Sequence, residues 1–240
     1  EVGGRTSHSA IMARSLEIPA VVGVTGILSQ AQAGDRIILD ALNGEVILNP
    51  TDEQVAEYTK KGEEYQKEKE ALQAMKDQPS VSTDGHKVLL VGNIGSVADV
   101  EGVLANGGEG VGLFRTEFLY MKSENDFPDE DTQFAAYKQV LEGMNGKPVV
   151  IRTLDIGGDK KLKYYKFDEE MNPFLGVRAI RFCLIRKDVF RVQLRALLRA
   201  SAFGHLCIMF PMIATVNEFK EARALYDEER AKLIADGIAV

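Results

Sequence analysis

The segment Pro-Val-Val-Ile-Arg-Thr-Leu-Asp, residues 148–155, carries the clearest information about the fold. Its short apolar, β-branched run is typical of a buried parallel strand. Arg152 and Asp155 stand where that strand should end. The same order, an apolar run followed by charge, recurs in residues 110–117, which include Arg115. Together the two segments predict parallel strands with charged side chains at their carboxyl ends.

Strands and helices alternate through the rest of this region. We predict further strands at 88–91 and 206–210, and helices at 97–104, 132–141, 176–184, 189–202 and 217–234. Four strand–helix units in series predict an α/β fold with a parallel sheet. Charged residues after strand ends are typical of the active-site face of a (β/α)8 barrel. We therefore expect residues 79–240 to form the first half of such a barrel.

The preceding residues predict a different organisation. Residues 18–24 are apolar and indicate a strand, and residues 36–48 indicate a hairpin around Asn43-Gly44. Residues 51–78 are rich in Lys and Glu with only a thin apolar stripe, which predicts a long connecting helix. Thr51 and Gln54 fit the capping box at its start. The sequence therefore divides into three parts, 1–50, 51–78 and 79–240.

Composition excludes several classes of protein. Of the 240 residues 27% are charged and 45% are hydrophobic, which is typical of a folded globular chain. The net charge of -7 argues against a general nucleic-acid binder, which needs excess Lys and Arg to neutralise phosphates. No signal peptide and no run of membrane-spanning length is present, so we expect a cytoplasmic protein without membrane insertion.

Two further features of the sequence indicate the redox compartment of the protein and the extent of the chain. Cys183 and Cys207 lie in apolar surroundings without metal-ligand spacing, so both are predicted to be buried thiols of a reducing compartment. The chain starts with Glu1 inside a motif and stops as an apolar run begins. We therefore expect it to be a piece of a longer protein.

The motif at the start is Gly-Gly-Arg-Thr-Ser-His-Ser, residues 3–9, followed by a predicted small-residue helix at 9–16. Thr6 can cap this helix, and His8 stands at its start, where free N–H groups and the helix dipole favour an anion. A phosphoryl group on the imidazole is such an anion, and Arg14 is close enough in sequence to assist. These local features favour a phosphorylated histidine and a plain capping histidine equally.

Residues 3–14 resemble the phosphohistidine signature of the phosphoenolpyruvate-utilising enzymes. That family includes enzyme I of the sugar phosphotransferase system, pyruvate phosphate dikinase and phosphoenolpyruvate synthase. The segments 15–23, 112–121, 152–160 and 172–181 are more similar to enzyme I than to the dikinases. The resemblance covers essentially the whole chain. It implies that 1–50 is the C-terminal part of a swivelling phosphohistidine domain, 51–78 a helical linker, and 79–240 the first half of a phosphoenolpyruvate-binding TIM barrel.

The resemblance also implies an activity, that of a phosphoenolpyruvate-protein phosphotransferase. His8 would attack phosphoenolpyruvate, release pyruvate and pass the phosphoryl group to the phosphocarrier protein HPr, with Thr6 and Arg14 supporting the phosphohistidine. Arg115, Arg152 and Arg178 would bind the phosphate of the donor, because a guanidinium donates two parallel hydrogen bonds and stays charged. The alternative for these arginines is an ion pair with Glu117, Asp155 or Asp159.

The remaining implications concern what the activity needs. The resemblance implies Mg²⁺, whose ligands, like the catalytic cysteine, are expected beyond residue 240, with no metal site within this chain. It further implies a homodimer, a linker about which the His8 domain swings, and an inactive chain when this sequence stands alone. A dikinase or synthase remains an alternative, as does a non-enzymatic regulatory relative, against which the combination of His8, Arg115 and Arg152 counts.

Overall fold

The computed structural model of the protein describes residues 3–4, 10, 13, 18–158 and 162–240. These residues divide into two compact units, Glu1–Met75 and Lys76–Val240. The predicted sites Thr6, His8 and Arg14 lie outside the described residues, as does most of the helix predicted at 9–16. In the part of the chain that is described, no helix combines the length and the apolar character needed to cross a bilayer.

The first unit contains a hairpin and a long helix. Its elements are α1 (Ile27–Gln30), β1 (Ile37–Asp40), β2 (Glu45–Leu48) and α2 (Asp52–Met75). β1 and β2 pair antiparallel, with Asp40 opposite Glu45. Gly44 closes the turn at a φ of 75°, a conformation that favours glycine. Both the predicted hairpin and the predicted long helix are confirmed.

The start of α2 has the predicted capping box. The Gln54 N–H donates to Thr51 Oγ1 at 3.2 Å, and the Thr51 N–H donates to Gln54 Oε1 at 2.9 Å. The strand predicted at 18–24 is wrong, because these residues are irregular up to α1. Pro19 has no N–H for a ladder, and Gly23 turns the backbone at a φ of 74°.

The second unit alternates strands and helices as predicted. Its elements are β3 (Gly92–Ile94), α3 (Asp99–Ala105), β4 (Val111–Arg115), α4 (Glu117–Lys122), α5 (Glu130–Gly143), β5 (Val149–Arg152), α6 (Ala179–Ile185), α7 (Lys187–Ala200), β6 (Leu206–Met209) and α8 (Val216–Ala235). The four strands are parallel and lie in chain order from β3 to β6. The mixed α/β fold with a parallel sheet is therefore confirmed.

Two elements differ from the prediction. β3 starts at Gly92, four residues after the start predicted from the apolar run 88–91, whose side chains are all exposed. Residues 92–94 have register partners on β4. Pairing with β4, and not the apolar run, therefore determines where β3 lies. Sequence periodicity does not predict the short helix α4, because it follows Arg115 almost directly and no side chain caps its start.

Two clusters of buried side chains form the core of the second unit. The first joins the sheet to α5 and α7 and includes Phe114, Tyr137 and Leu197. The second joins α6, α7 and α8 to the long segment after β5 and includes Phe182. The carboxyl ends of β4 and β5 are thus held against buried helices, which fixes the positions of the residues that follow these strands.

The two cysteines lie in different surroundings. Cys183 is buried in α6, as predicted, but Cys207 is exposed. Cys207 lies between Leu206 and Ile208 of β6, whose side chains pack on the core. Since side chains alternate along a strand, Cys207 faces the other way. The prediction of a buried thiol is wrong for this residue.

Candidate functional site

The last residues of two neighbouring parallel strands bring Arg115 and Arg152 side by side. Arg115 ends β4, Arg152 ends β5, and the two are register partners. Parallel strands lie about 4.8 Å apart, so the two arginines leave the sheet at the same edge. This edge is the carboxyl end of the strands, where α/β proteins bind their ligands.

Arg152 is held by two carboxylates. Its Nη2 lies 2.7 Å from Oε1 of Glu117, and its Nη1 lies 3.0 Å from Oδ2 of Asp155. The Arg152 side chain is 15% exposed and that of Glu117 is 5% exposed. These ion pairs lie largely out of water, so they fix the guanidinium in one orientation.

Arg178 is fixed through the same Asp155. Its Nη2 lies 3.0 Å from Oδ1 of Asp155, whose other oxygen contacts Arg152. Asp155 therefore bridges two largely buried arginines. The guanidinium of Arg178 also lies over the ring of Phe174, with its Cζ 5.2 Å from the ring centroid.

The backbone next to Arg178 is unusual. Arg178 is extended and precedes α6, while Ala179 adopts a φ of 51° although it is fully buried. Left-handed backbone costs a residue with a Cβ about 1–2 kcal/mol. Strain of this kind in non-glycine residues is found at functional sites, and here it lies directly after Arg178.

Arg115 differs from the other two arginines. Its side chain is exposed, and it makes no ion pair and no hydrogen bond in the described part of the chain. Its guanidinium lies over the ring of Phe118, with Cζ 4.9 Å from the ring centroid. Arg115 therefore presents a charge that no described carboxylate neutralises.

The ion-pair alternative raised by the sequence is thus present for Arg152 and Arg178 but not, among the described residues, for Arg115. Asp159, one of the carboxylates considered, lies outside those residues. The structure places Arg115 and Arg152 at one edge of the sheet, and Asp155 links Arg178 to Arg152. An ion pair and a phosphate contact are compatible, since one guanidinium carries five N–H donors. The phosphate-binding role of each arginine remains a prediction.

Buried hydrogen bonds of Thr116 and Gln193 hold the carboxyl ends of β4 and β5 in place. Thr116 Oγ1 donates to the backbone oxygen of Arg152 at 2.8 Å and accepts from Gln193 Nε2 at 3.2 Å. Gln193 Oε1 accepts the backbone N–H of Leu154 at 2.9 Å. Thr116 and Gln193 are both fully buried. The two side chains tie the ends of β4 and β5 to α7 and so set the spacing of the arginines.

Sequence reasoning missed Gln193 and Phe118. Gln193 lies on the apolar stripe of α7, between Phe190 and Leu194. A polar residue at such a position signals a buried hydrogen bond, so the sequence did contain an indication of its role. Phe118 carried no comparable signal, because an aromatic residue after a strand is ordinarily part of the core.

Burial keeps several nearby groups protonated. It raises the pKa of Tyr120 and of Tyr137, which both donate their hydroxyl to Oε1 of Gln133. It also raises the pKa of the Cys183 thiol, and the negative charge of Asp155 adds to this effect. A nucleophilic thiolate is therefore not expected at Cys183 near neutral pH.

The described residues do not fit a metal ion. Among them, no group of three or more His, Cys, Asp or Glu is placed to hold one. The carboxylates nearest the arginines, Glu117 and Asp155, are bound to Arg152.

Family models match nearly the whole chain. The model described as PEP-utilising enzyme, PEP-binding domain, matches residues 69–240. A second, described as PEP-utilising enzyme, mobile domain, matches residues 1–44. The first of these covers more than half of the chain and contains all three arginines.

Curated relatives from several bacteria are similar over the full chain. One named phosphoenolpyruvate-protein phosphotransferase, from Bacillus subtilis (strain 168), is 60% identical over 240 residues, which is 100% of this chain and 42% of the relative. A protein of the same name from Staphylococcus carnosus (strain TM300) is 59% identical over 239 residues, again 100% of this chain and 42% of the relative. This chain spans about two-fifths of the length of these relatives.

Proposed function

The chain belongs to the PEP-utilising enzymes, and from that premise we propose that it takes part in phosphoryl transfer from phosphoenolpyruvate to His8 and on to the phosphocarrier protein HPr. This is the activity of a phosphoenolpyruvate-protein phosphotransferase, the first step of a sugar phosphotransferase system. The observation that carries the proposal is the pair Arg115 and Arg152 at the carboxyl ends of β4 and β5, with Arg178 joined to Arg152 through Asp155.

The arginines would bind the phosphate of the donor. Arg115 supplies charge that no described carboxylate offsets, while Arg152 is already oriented by Glu117 and Asp155. Preorganised donors of this kind stabilise charge that develops in a transition state without reorganising during the reaction. Phosphoryl transfer depends largely on such positioning and electrostatic stabilisation.

The chemical step is a displacement at phosphorus. An imidazole nitrogen of His8 forms a bond to the phosphorus as the bond from phosphorus to the enol oxygen breaks. The enolate that leaves takes up a proton and becomes pyruvate. Neutral imidazole is a competent nucleophile near pH 7. Thr6 and Arg14, which lie outside the described residues, would support the phosphorylated imidazole.

The proposal also assigns a role to each part of the chain and predicts what the full-length protein needs for the reaction. The residue ranges 1–50, 51–78 and 79–240 would serve as phosphohistidine domain, linker and half of a donor-binding barrel. The linker would let His8 move between donor and acceptor. A homodimer, a cytoplasmic location and Mg²⁺ held by ligands beyond residue 240 complete the prediction. If a cross-link immobilised the linker without slowing transfer to HPr, the proposed movement of His8 about the linker would be wrong.

Radiolabelled phosphoenolpyruvate tests the proposal in the full-length protein that contains this chain. We expect acid-labile label on the unaltered protein, its passage to added HPr, and no label on His8→Ala. Arg152→Ala should slow labelling by at least tenfold, whereas Arg223→Ala, which removes an exposed arginine paired with Asp227 on α8, should leave the rate unchanged. Label that appears only when ATP is supplied would favour the dikinase alternative, and no label would favour the regulatory relative.

A further inference from the structure

We propose that Phe118 is a positioning residue that holds the guanidinium of Arg115 in place for the anionic donor, and that Gly95 is required beside its ring. This inference rests on the proposed function, in which Arg115 binds the phosphate of phosphoenolpyruvate. It adds two residues, Phe118 and Gly95, to which no sequence motif assigns a role.

The contact between Arg115 and Phe118 is a cation–π contact. The Cζ of Arg115 lies 4.9 Å from the ring centroid, within the distance of about 6 Å at which such contacts stabilise. Phe118 lies in α4, three residues after Arg115, and its side chain is half-buried. Because Arg115 has no ion pair or hydrogen bond among the described residues, the aromatic ring is the contact that orients its guanidinium.

Gly95 leaves room for this arrangement. A Cβ built on Gly95 would lie 2.9 Å from Cδ2 and 3.0 Å from Cε2 of Phe118, and 3.6 Å from Nη2 of Arg115. Carbon atoms in good contact are about 3.5–4.0 Å apart, so any side chain at residue 95 would displace the ring. Residue 95 follows β3, as Arg115 ends β4. Two neighbouring strand ends therefore define the position of the ring.

The need for an aromatic support follows from the contrast with Arg152. Two carboxylates order Arg152 before any ligand arrives, but they also occupy some of its five N–H groups, so that fewer are left for a phosphate. Arg115 has no such competitor among the described residues, yet a long side chain without a support loses conformational freedom when it binds. A ring under the guanidinium restricts it in advance and leaves its N–H groups available to an anion.

The test measures the dissociation constant for phosphoenolpyruvate in the full-length protein carrying His8→Ala, so that the donor is not consumed. Phe118→Leu should weaken binding about two- to fivefold, the effect expected for an exposed cation–π contact. Phe118→Tyr should restore binding, and Gly95→Ala should weaken it by at least the effect of Phe118→Leu. Tyr226→Leu serves as a matched control, since it removes a ring 5.0 Å from Arg223 on α8. It should leave the dissociation constant unchanged.

A double-mutant cycle separates positioning from general packing. In an Arg115→Ala background, Phe118→Leu should have no further effect on binding. An equal two- to fivefold loss in that background would overturn the proposal. So would a loss of binding in Phe118→Tyr that equalled the loss in Phe118→Leu.

A measurement without donor tests the contact itself. The side-chain protons of Arg115 should show an upfield NMR shift from the ring current of Phe118, and Phe118→Leu should remove it. Unchanged Arg115 resonances in that variant would also overturn the proposal. Absence of phosphoenolpyruvate binding by the His8→Ala protein without further substitutions would instead overturn the proposed function, even if the ring-current shift were present.

Discussion

The two units of the chain differ in where their apolar side chains lie. Among the described residues of the first unit none is buried, whereas the second unit contains two clusters of buried side chains. In the hairpin of the first unit Ile37 and Leu39 are 48% and 42% exposed, and α2 buries no residue. Hydrogen bonds hold this described part. The Asp40 carboxylate accepts the backbone N–H groups of Leu42 and Asn43 in the turn, and the Tyr58 hydroxyl donates to Glu45.

The predicted functional residues are divided between these two different units. The proposed nucleophile, His8, belongs to the unit whose described residues lack a core, and the arginines proposed to bind the donor belong to the unit that has one. Binding charge with preorganised groups requires a rigid support, which the second unit supplies. Equivalent substitutions in the two units should therefore have very different effects.

The largest difference is expected from removing an apolar side chain. Phe114 is fully buried and packs edge-on against Tyr137, with ring centroids 6.0 Å apart. Phe114→Ala should lower the free energy of unfolding by about 3–5 kcal/mol. Leu39→Ala, at a half-exposed position of β1, should lower it by less than about 1 kcal/mol. Urea unfolding followed by circular dichroism measures both, and equal losses would contradict the contrast between the units.

The buried polar network should produce the next largest effect. Gln193→Leu leaves the N–H of Leu154 without its acceptor and removes a donor from Thr116 and Tyr137. Since each unpaired buried group costs about 1–3 kcal/mol, we expect a loss of about 2–3 kcal/mol in unfolding free energy. Gln139→Leu, at an exposed position of α5, is the control and should change it little. A loss no larger than that of the control would show that the network is dispensable.

Alkaline pH should destabilise the second unit. Burial raises the pKa of Tyr120 and Tyr137 above the ordinary value of 10.0. Above that value the unfolded chain releases protons that the folded chain retains, so stability is complete below about pH 10 and falls as the pH rises. The two phenols should together lower the free energy of unfolding by about 1.5 kcal/mol between pH 9 and pH 10.5. Replacing both with Phe should remove this part of the pH dependence, and an unchanged profile would refute its assignment to them.

The smallest effect is expected from removing the capping threonine of each of two matched helix starts. Thr215 accepts the N–H of Glu218 at 3.2 Å at the start of α8, as Thr51 does for Gln54 at the start of α2. Thr215→Ala should lower the unfolding free energy by about 1 kcal/mol, because α8 packs into the core through Leu225 and Leu233. Thr51→Ala should reduce only the helical signal of α2. If Thr51→Ala shifted the main unfolding transition as much as Thr215→Ala, α2 would be part of the same cooperative core.

Sequence patterns predict the elements of the second unit well because burial there follows periodicity. β5, Val149–Arg152, lies within the segment 148–155 that predicts it, since its apolar run coincides with its ladder partners. The run at 88–91 is misleading because it lacks a ladder in the structure, and the strand begins at Gly92 instead. Strand pairing is a long-range property that the composition of one segment does not contain.

The candidate site is predictable in part for a similar reason. Charged residues after strand ends indicate Arg115 and Arg152 from the sequence alone, because parallel strands bring their carboxyl ends together. The bridge from Asp155 to Arg178 spans 23 residues and needs the course of the loop between them. The stacking of Arg115 on Phe118 depends on space left at Gly95, which belongs to another strand–helix unit. Contacts of this kind follow from packing and not from local sequence.

We propose that the nucleophile belongs to the first unit and the donor site to the second, and equilibrium binding of phosphoenolpyruvate tests this division. The full-length protein carrying His8→Ala should still bind phosphoenolpyruvate, because the proposed donor-binding arginines are intact in it. In this His8→Ala protein, Arg152→Ala should weaken binding by at least tenfold, because it removes a guanidinium that Glu117 and Asp155 hold in one orientation. Undiminished binding in Arg152→Ala, or its loss in His8→Ala, would contradict the division.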